Sequence, residues 1–139
     1  MCRLLELSVI PIINENDSIS TAEIEIGDND TLGAIVATAI DADLLIILSD
    51  IDGLYTADPH QNANAQLLHT VEKIDENIEA MIGGVGSKLG TGGMATKIKA
   101  AKIVTKQGID MVIANGDTPS YLYDIVDGKN IGTRFIGEK

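Results

Sequence analysis

The segment Thr91-Gly92-Gly93-Met94-Ala95-Thr96-Lys97 carries residue types suited to holding a phosphate. Glycines let backbone amides approach an anion closely. The N–H groups that open a helix point at such an anion, with the helix dipole behind them. Lys97 would add a mobile positive charge in the first turn of a helix read from Met94 to Gln107. A lysine so early in a helix is unfavourable unless it meets an anion. The spacing is neither a Walker P-loop nor Gly-x-Gly-x-x-Gly, so on its own the segment reads equally as a flexible glycine loop beside a solvated lysine.

Gly27-Asp28-Asn29-Asp30 sets three carboxylate or amide side chains in one turn ahead of an apolar helix. Two of them could cap the helix, at about 1 kcal/mol each. The excess suggests a second task, hydrogen-bonding a substrate or orienting a lysine by charge; capping plus solvation is the alternative. Asn14-Glu15-Asn16-Asp17 follows a short apolar run, and there Asp17 is suited to pairing with a substrate ammonium, or else lies in a surface loop. Ser49-Asp50 follows the most hydrophobic run, as a sheet-end turn next to a ligand or as an ordinary strand exit. His60 and His69 have no metal-ligand spacing with other ligand types. No Ser/His/Asp or Cys/His arrangement has an order that supports nucleophilic catalysis.

The elements that must position these clusters alternate between strand and helix. Val9-Ile10-Pro11-Ile12-Ile13 reads as a buried strand with Pro11 at its start or edge. Glu23-Ile24-Glu25-Ile26 alternates with period two, as a half-exposed strand does. Leu32, Ile35, Val36, Ala39 and Ile40 follow the helical template. Leu44 to Leu48 is an unbroken aliphatic run, expected of a strand covered on both faces. Short strands are expected at Leu67 to Val71, Asp110 to Ala114 and Gly132 to Ile136. Short helices are expected from near Asp75 to Ile82 and from Tyr121 to Val126. Ile98, Ala101 and Val104 mark the buried face of the helix ending at Gly108, a suitable C-cap. The class is therefore α/β with a mainly parallel sheet sandwiched by helices. Ligands of such sheets sit beyond the carboxyl ends of the strands. The polar clusters 14–17, 49–53 and 115–118 all follow expected strands, which makes them one candidate site.

Bulk properties narrow the partners. The chain has 139 residues, 45% hydrophobic and 22% charged, and a formal net charge of -11. That size suits one domain, and the acidity disfavours nucleic acid and anionic lipid. A phosphate site on such a surface needs a local concentration of amides, lysine or metal. Cys2 is the only cysteine, so the expectation is a chain without a disulfide framework in a cytoplasmic, reducing setting. No apolar run reaches the roughly 20 residues of a membrane span.

Taken together, the segments 10–17, 27–30, 49–59 and 90–97 resemble the amino acid kinase family, in its glutamate-phosphorylating branch. The order and spacing of the segments match too, and the resemblance extends from about Leu4 to Phe135. It implies ATP-dependent phosphorylation of the γ-carboxylate of L-glutamate, the opening step of proline synthesis, with ATP and Mg2+ as cofactors. It places Asn14, Asp17, Asp28 and Asn29 on glutamate. Asp30 would orient the catalytic lysines, and Lys97 would neutralise the transferred phosphoryl group. Ser49, Asp50 and the run Thr91, Gly92, Gly93, Met94, Ala95, Thr96 and Lys97 would line the ATP site; no magnesium ligands are implied.

The resemblance covers the later half of the kinase domain only. Nothing before Asn14 matches the family's opening strand, glycine-rich loop and essential lysine, and its C-terminal RNA-binding-like domain has no counterpart. Residues 1–139 are thus expected to form the nucleotide-binding half of an amino acid kinase domain, with negligible activity alone. Association with the other half or with further copies is also expected. Ser8 stands where the family usually has glycine. The alternatives are a non-catalytic nucleotide-binding fragment, or a related kinase acting on another small carboxylate or carbamate.

Overall fold

The computed structural model describes residues 2–14, 28–82 and 91–138. The strand expected at 23–26, Asp17 and the glycine-rich stretch 83–90 lie outside the described residues. The order along the chain is α1 (Cys2–Glu6), α2 (Asn29–Ala39), β1 (Leu44–Ser49), β2 (Thr70–Val71), α3 (Glu76–Ile82), α4 (Thr91–Thr105), β3 (Asp110–Asn115), α5 (Tyr121–Val126) and β4 (Thr133–Phe135). The strands form a four-stranded sheet in the order β1-β3-β4-β2. β1 pairs with β3 and β2 with β4 in parallel, while β3 and β4 are antiparallel. The sheet is thus mostly parallel, as expected. The antiparallel pair has a simple origin. A parallel crossover must carry the chain back along a strand of roughly 20 Å, and α5 spans only roughly 9 Å.

Alternation along β1 and β3 divides the core. Leu45, Ile47, Met111 and Ile113 face α2 and α4, whereas Leu44, Ile46, Val112 and Ala114 face Ile125 of α5 and Ile131. The uninterrupted aliphatic run of β1 therefore does not mean equal cover on both faces: Ile47 is buried, and Leu48, on the α5 side, is exposed. β1 is also an edge strand of the described sheet.

α2 forms where its period predicts, yet it buries a different stripe. Thr31, Ala34 and Ala37 are its buried residues. Of the expected apolar face, Ile35 and Ala39 are exposed and Leu32, Val36 and Ile40 are half-buried. Helix α2 packs on α4, where Ala100 and Ala101 are also buried. Small side chains on both helices allow close approach, so the larger residues move to the flanks. α4 buries Ile98, Ala101 and Val104 as expected. It ends at Gly108 (φ 78°), whose N–H bonds Thr105 O at 3.0 Å while Ile109 N–H bonds Val104 O at 3.1 Å, a Schellman-type cap.

The expected strand Val9 to Ile13 is not formed. The segment is irregular coil, with Ile10 87% and Ile12 96% exposed. A strand exists only through hydrogen bonds to a neighbour, and no strand among the described residues pairs with this one. What precedes it is a helix that periodicity did not reveal, α1. Its last turn closes through Leu7 N–H and Val9 N–H on Leu4 O and through Ser8 N–H on Leu5 O, with Ser8 at φ 57°. This is the left-handed position after a helix that normally takes glycine, which gives the unusual serine a physical meaning. The expected strand at 67–71 shrinks to Thr70–Val71, with Leu67 in an isolated bridge to Tyr55. Asp75 opens α3 by accepting from the N–H groups of Asn77 and Ile78 at 3.0 Å. The Ile78 bond above all holds its carboxyl below the usual carboxylate range.

Candidate active site

Two helices return to the same edge of the sheet. α2 leads directly into β1, and α4 into β3. Lengths of roughly 16 Å and 22 Å carry each helix N-terminus back toward the carboxyl end of its strand, roughly 20 Å long. That edge holds the residues 28–30, 91–97, 49–53 and 115–118. Open α/β sheets bind ligands beyond this end of their strands.

The N-termini of α2 and α4 meet through Asp30. Its Oδ2 accepts from Lys97 Nζ at 3.1 Å and lies 2.7 Å from Thr96 Oγ1. The Thr96 hydroxyl is also 2.8 Å from Gly93 O, so its one proton serves one acceptor at a time. The Lys97 and Asp30 side chains are 12% and 18% exposed, a semi-enclosed ion pair. Lys97 sits in the second turn of α4, not the first, because the helix begins at Thr91 rather than Met94. Gly92 and Gly93 are accordingly helical. The first-turn N–H groups of α4 still have no intrahelical acceptor and still point outward. Asp30 offsets the cost of a lysine near this end.

Asp28 is the N-cap of α2. Its Oδ1 accepts from Thr31 N–H at 2.6 Å and its Oδ2 from Thr31 Oγ1 at 2.9 Å. Both oxygens are thereby engaged locally, with further lone pairs left to a ligand. Asn29, next along, is exposed. Of the residues expected to hold glutamate, Asn14 lies in the exposed coil after residues 9–13, and Asp17 is outside the described residues. The structure thus brings Asp30, Thr96 and Lys97 into contact and places Asp28 and Asn29 on the same helix end.

Ser49 ends β1, and its Oγ donates to Asp50 Oδ1 at 3.1 Å. Beside it, Asn115 ends β3 in register with Ser49, and Gly116 N–H extends the ladder to Ser49 O at 2.8 Å. Contacts that the sequence did not reveal tie this edge together. Asp52 accepts from Asn115 Nδ2 at 2.9 Å and from the Tyr55 hydroxyl at 3.0 Å. Burial, followed by the Asp52 bond and charge, pushes the Tyr55 phenol above its ordinary value. Thr133, fully buried, accepts from Leu54 N–H at 2.8 Å and donates to Leu68 O at 2.5 Å. Gly53 lies against it at φ 154°, where a Cβ would come within 2.4 Å of Thr133 Oγ1 and 3.0 Å of Thr133 N. The polar clusters 49–53 and 115–118 marked this edge in the sequence, while nothing there pointed to Thr133.

Among the described residues, no group of three His, Cys, Asp or Glu side chains is arranged to hold a metal ion. None of the described helices is long and apolar enough to cross a membrane.

The fold is similar to that of solved small-molecule kinases. It resembles carbamate kinase from Giardia lamblia bound to AMP-PNP (TM-score 0.60, 23% identity, 80% of this chain and 36% of that one). It also resembles uridylate kinase from Archaeoglobus fulgidus (TM-score 0.57, 25% identity, 76% and 45%). Residues 2–115 match the sequence model of the amino acid kinase family, and the chain belongs to that family. Glutamate 5-kinase of Clostridium tetani is 58% identical over 132 residues, 95% of this chain and 49% of that protein. Glutamate 5-kinase of Clostridium acetobutylicum is 57% identical over 133 residues, 96% of this chain and 50% of that protein. The chain spans about half the length of these relatives.

Proposed function

We propose that residues 1–139 form the nucleotide-binding half of an ATP-dependent kinase that phosphorylates the γ-carboxylate of L-glutamate to glutamyl 5-phosphate, the opening step of proline synthesis. The observation that carries the reading is the junction of the α2 and α4 N-termini at Asp30, Thr96 and Lys97. Phosphoryl transfer needs little covalent help from protein. It needs an in-line arrangement and positive charge where the phosphoryl oxygens gather charge. α4 supplies outward-pointing amides and Lys97. One Lys97 N–H goes to Asp30, which fixes the ammonium while leaving two donors for phosphate oxygens. Ser49 and Asp50 border the nucleotide from the neighbouring strand end. In this reading Asp28, Asn29, Asn14 and Asp17 would hold the amino acid, and Mg2+ enters with the phosphates of ATP. The 58% identity to a glutamate 5-kinase supports glutamate over other small carboxylates or a carbamate.

Titration calorimetry with Mg-ATP, AMP and adenosine tests the site. Wild-type chain is expected to bind ATP, and Lys97→Ala to weaken ATP about tenfold while changing adenosine little. Equal loss for all three ligands refutes a phosphate role for Lys97. Hydroxylamine trapping of glutamyl phosphate tests the reaction. The expected result is negligible product from these 139 residues and turnover once the remaining half of a relative is added. Product from aspartate or carbamate but not glutamate overturns the substrate assignment.

A further inference from the structure

Asp52 has no part in the phosphate chemistry assigned above, yet its two oxygens reach different parts of the chain. Oδ1 takes the amide of Asn115, at the end of β3, and Oδ2 takes the hydroxyl of Tyr55. Asn115 Oδ1 in turn accepts from Asp117 N–H at 2.8 Å. With Gly116 N–H on Ser49 O, these bonds close a ring between the loop leaving β1 and the turn leaving β3. An aspartate that merely shapes a turn bonds the backbone within two or three residues. This one reaches a side chain 63 positions away. Asp52 is exposed, and exposed polar pairs add little to stability. What the ring fixes is the relative placement of two strand exits, one of which is Ser49-Asp50.

We infer that Asp52 is a positioning residue for nucleotide binding, which through Tyr55 and Asn115 holds Ser49 and Asp50 where they meet the nucleotide. The inference rests on the ATP-binding reading of this edge. It can be separated from that reading by a donor–acceptor exchange. Asn115→Asp sets carboxylate against carboxylate and breaks the ring, since two like charges at that distance repel. Combining it with Asp52→Asn rebuilds the ring in reverse. The new amide at 52 donates to the new carboxylate at 115, its oxygen still accepts from Tyr55, and position 115 still accepts from Asp117 N–H.

Calorimetry with Mg-ATP on the full chain reads the outcome, beside melting temperatures and the ultraviolet titration of Tyr55 obtained as the difference from Tyr55→Phe. The single variant is expected to bind ATP about tenfold more weakly, and the double variant within about twofold of wild type. The phenol should titrate at lower pH in Asp52→Asn, because the neighbouring charge that opposes its ionisation is gone. A single variant that binds as wild type, or a double variant as weak as the single, overturns the inference while Lys97 dependence is retained. Wild-type chain that binds no ATP, or binds it equally with Lys97→Ala, overturns the nucleotide reading and this inference with it.

Discussion

Thr133→Val is the sharpest test of how the candidate site is anchored. Valine matches threonine in shape, so the substitution leaves no cavity; it removes one hydroxyl. That hydroxyl serves Leu54 N–H and Leu68 O. Leu54 is 3% exposed, so its N–H loses a partner without gaining water, at about 1–3 kcal/mol. Leu68 is half-buried, and water partly replaces its lost donor, at about 1 kcal/mol. The sum is about 2–4 kcal/mol, a large share of the ~5–15 kcal/mol that holds a domain together. In melting temperature it is a fall of roughly 8–16 °C. Thr133→Ser is the control: it keeps the hydroxyl and loses one buried methyl, about 1 kcal/mol. Urea and thermal unfolding followed by circular dichroism measure both. A valine variant no less stable than the serine variant refutes the argument, because burial alone would favour valine.

Three further outcomes follow from local geometry. Asp28→Ala should lower stability by about 1 kcal/mol and Asp28→Asn by much less, since asparagine caps equally well; urea midpoints read the difference. Ser8→Gly should relieve about 1 kcal/mol of left-handed backbone cost and increase amide-exchange protection at Leu7, Ser8 and Val9 without moving global stability. The raised Tyr55 phenol favours the neutral form in the folded state. Its contribution is therefore complete below the ordinary phenol value of about 10 and is lost as pH rises through the higher folded value. Stability of wild type should fall more steeply than that of Tyr55→Phe above pH about 10, and parallel curves would reject the assignment.

Much of the fold was legible because the signals were local and redundant. α4 had a periodic face and a glycine stop, and Tyr121–Val126 was bounded by Ser120 and Gly128, the latter at φ 80°. The failures came where an outcome depends on a neighbour. Val9 to Ile13 has strand composition, but composition supplies no hydrogen-bonding partner. The apolar stripe of α2 was correctly periodic, yet which stripe is buried depends on how closely α4 approaches, and Ala100 and Ala101 decide that from the other helix. At the candidate site, Asp30 and Lys97 are 67 positions apart, and no spacing rule connects them; the surplus of polar side chains at 28–30 suggested that one could orient a lysine, and only the resemblance singled out Asp30. Asp52 and Asn115 fell within the polar clusters assigned to the site, but their bond to each other did not show, and Thr133 escaped notice as an ordinary strand residue until tertiary structure makes it a junction.

The strand order β1-β3-β4-β2 has a consequence for how the chain is made. β4, residues 133–135, lies inside the sheet, and Phe135 is fully buried. β2 was synthesised some sixty residues earlier and pairs only with β4 within the described sheet. On the ribosome β1 and β3 can join as soon as β3 emerges, whereas Thr70–Val71 must wait, unpaired, for β4. Folding is therefore gated by the arrival of residues 133–135. A ribosome stalled before them should leave Val71 and the Leu54–Thr133 junction open to protease, however complete the β1–β3 pair has become.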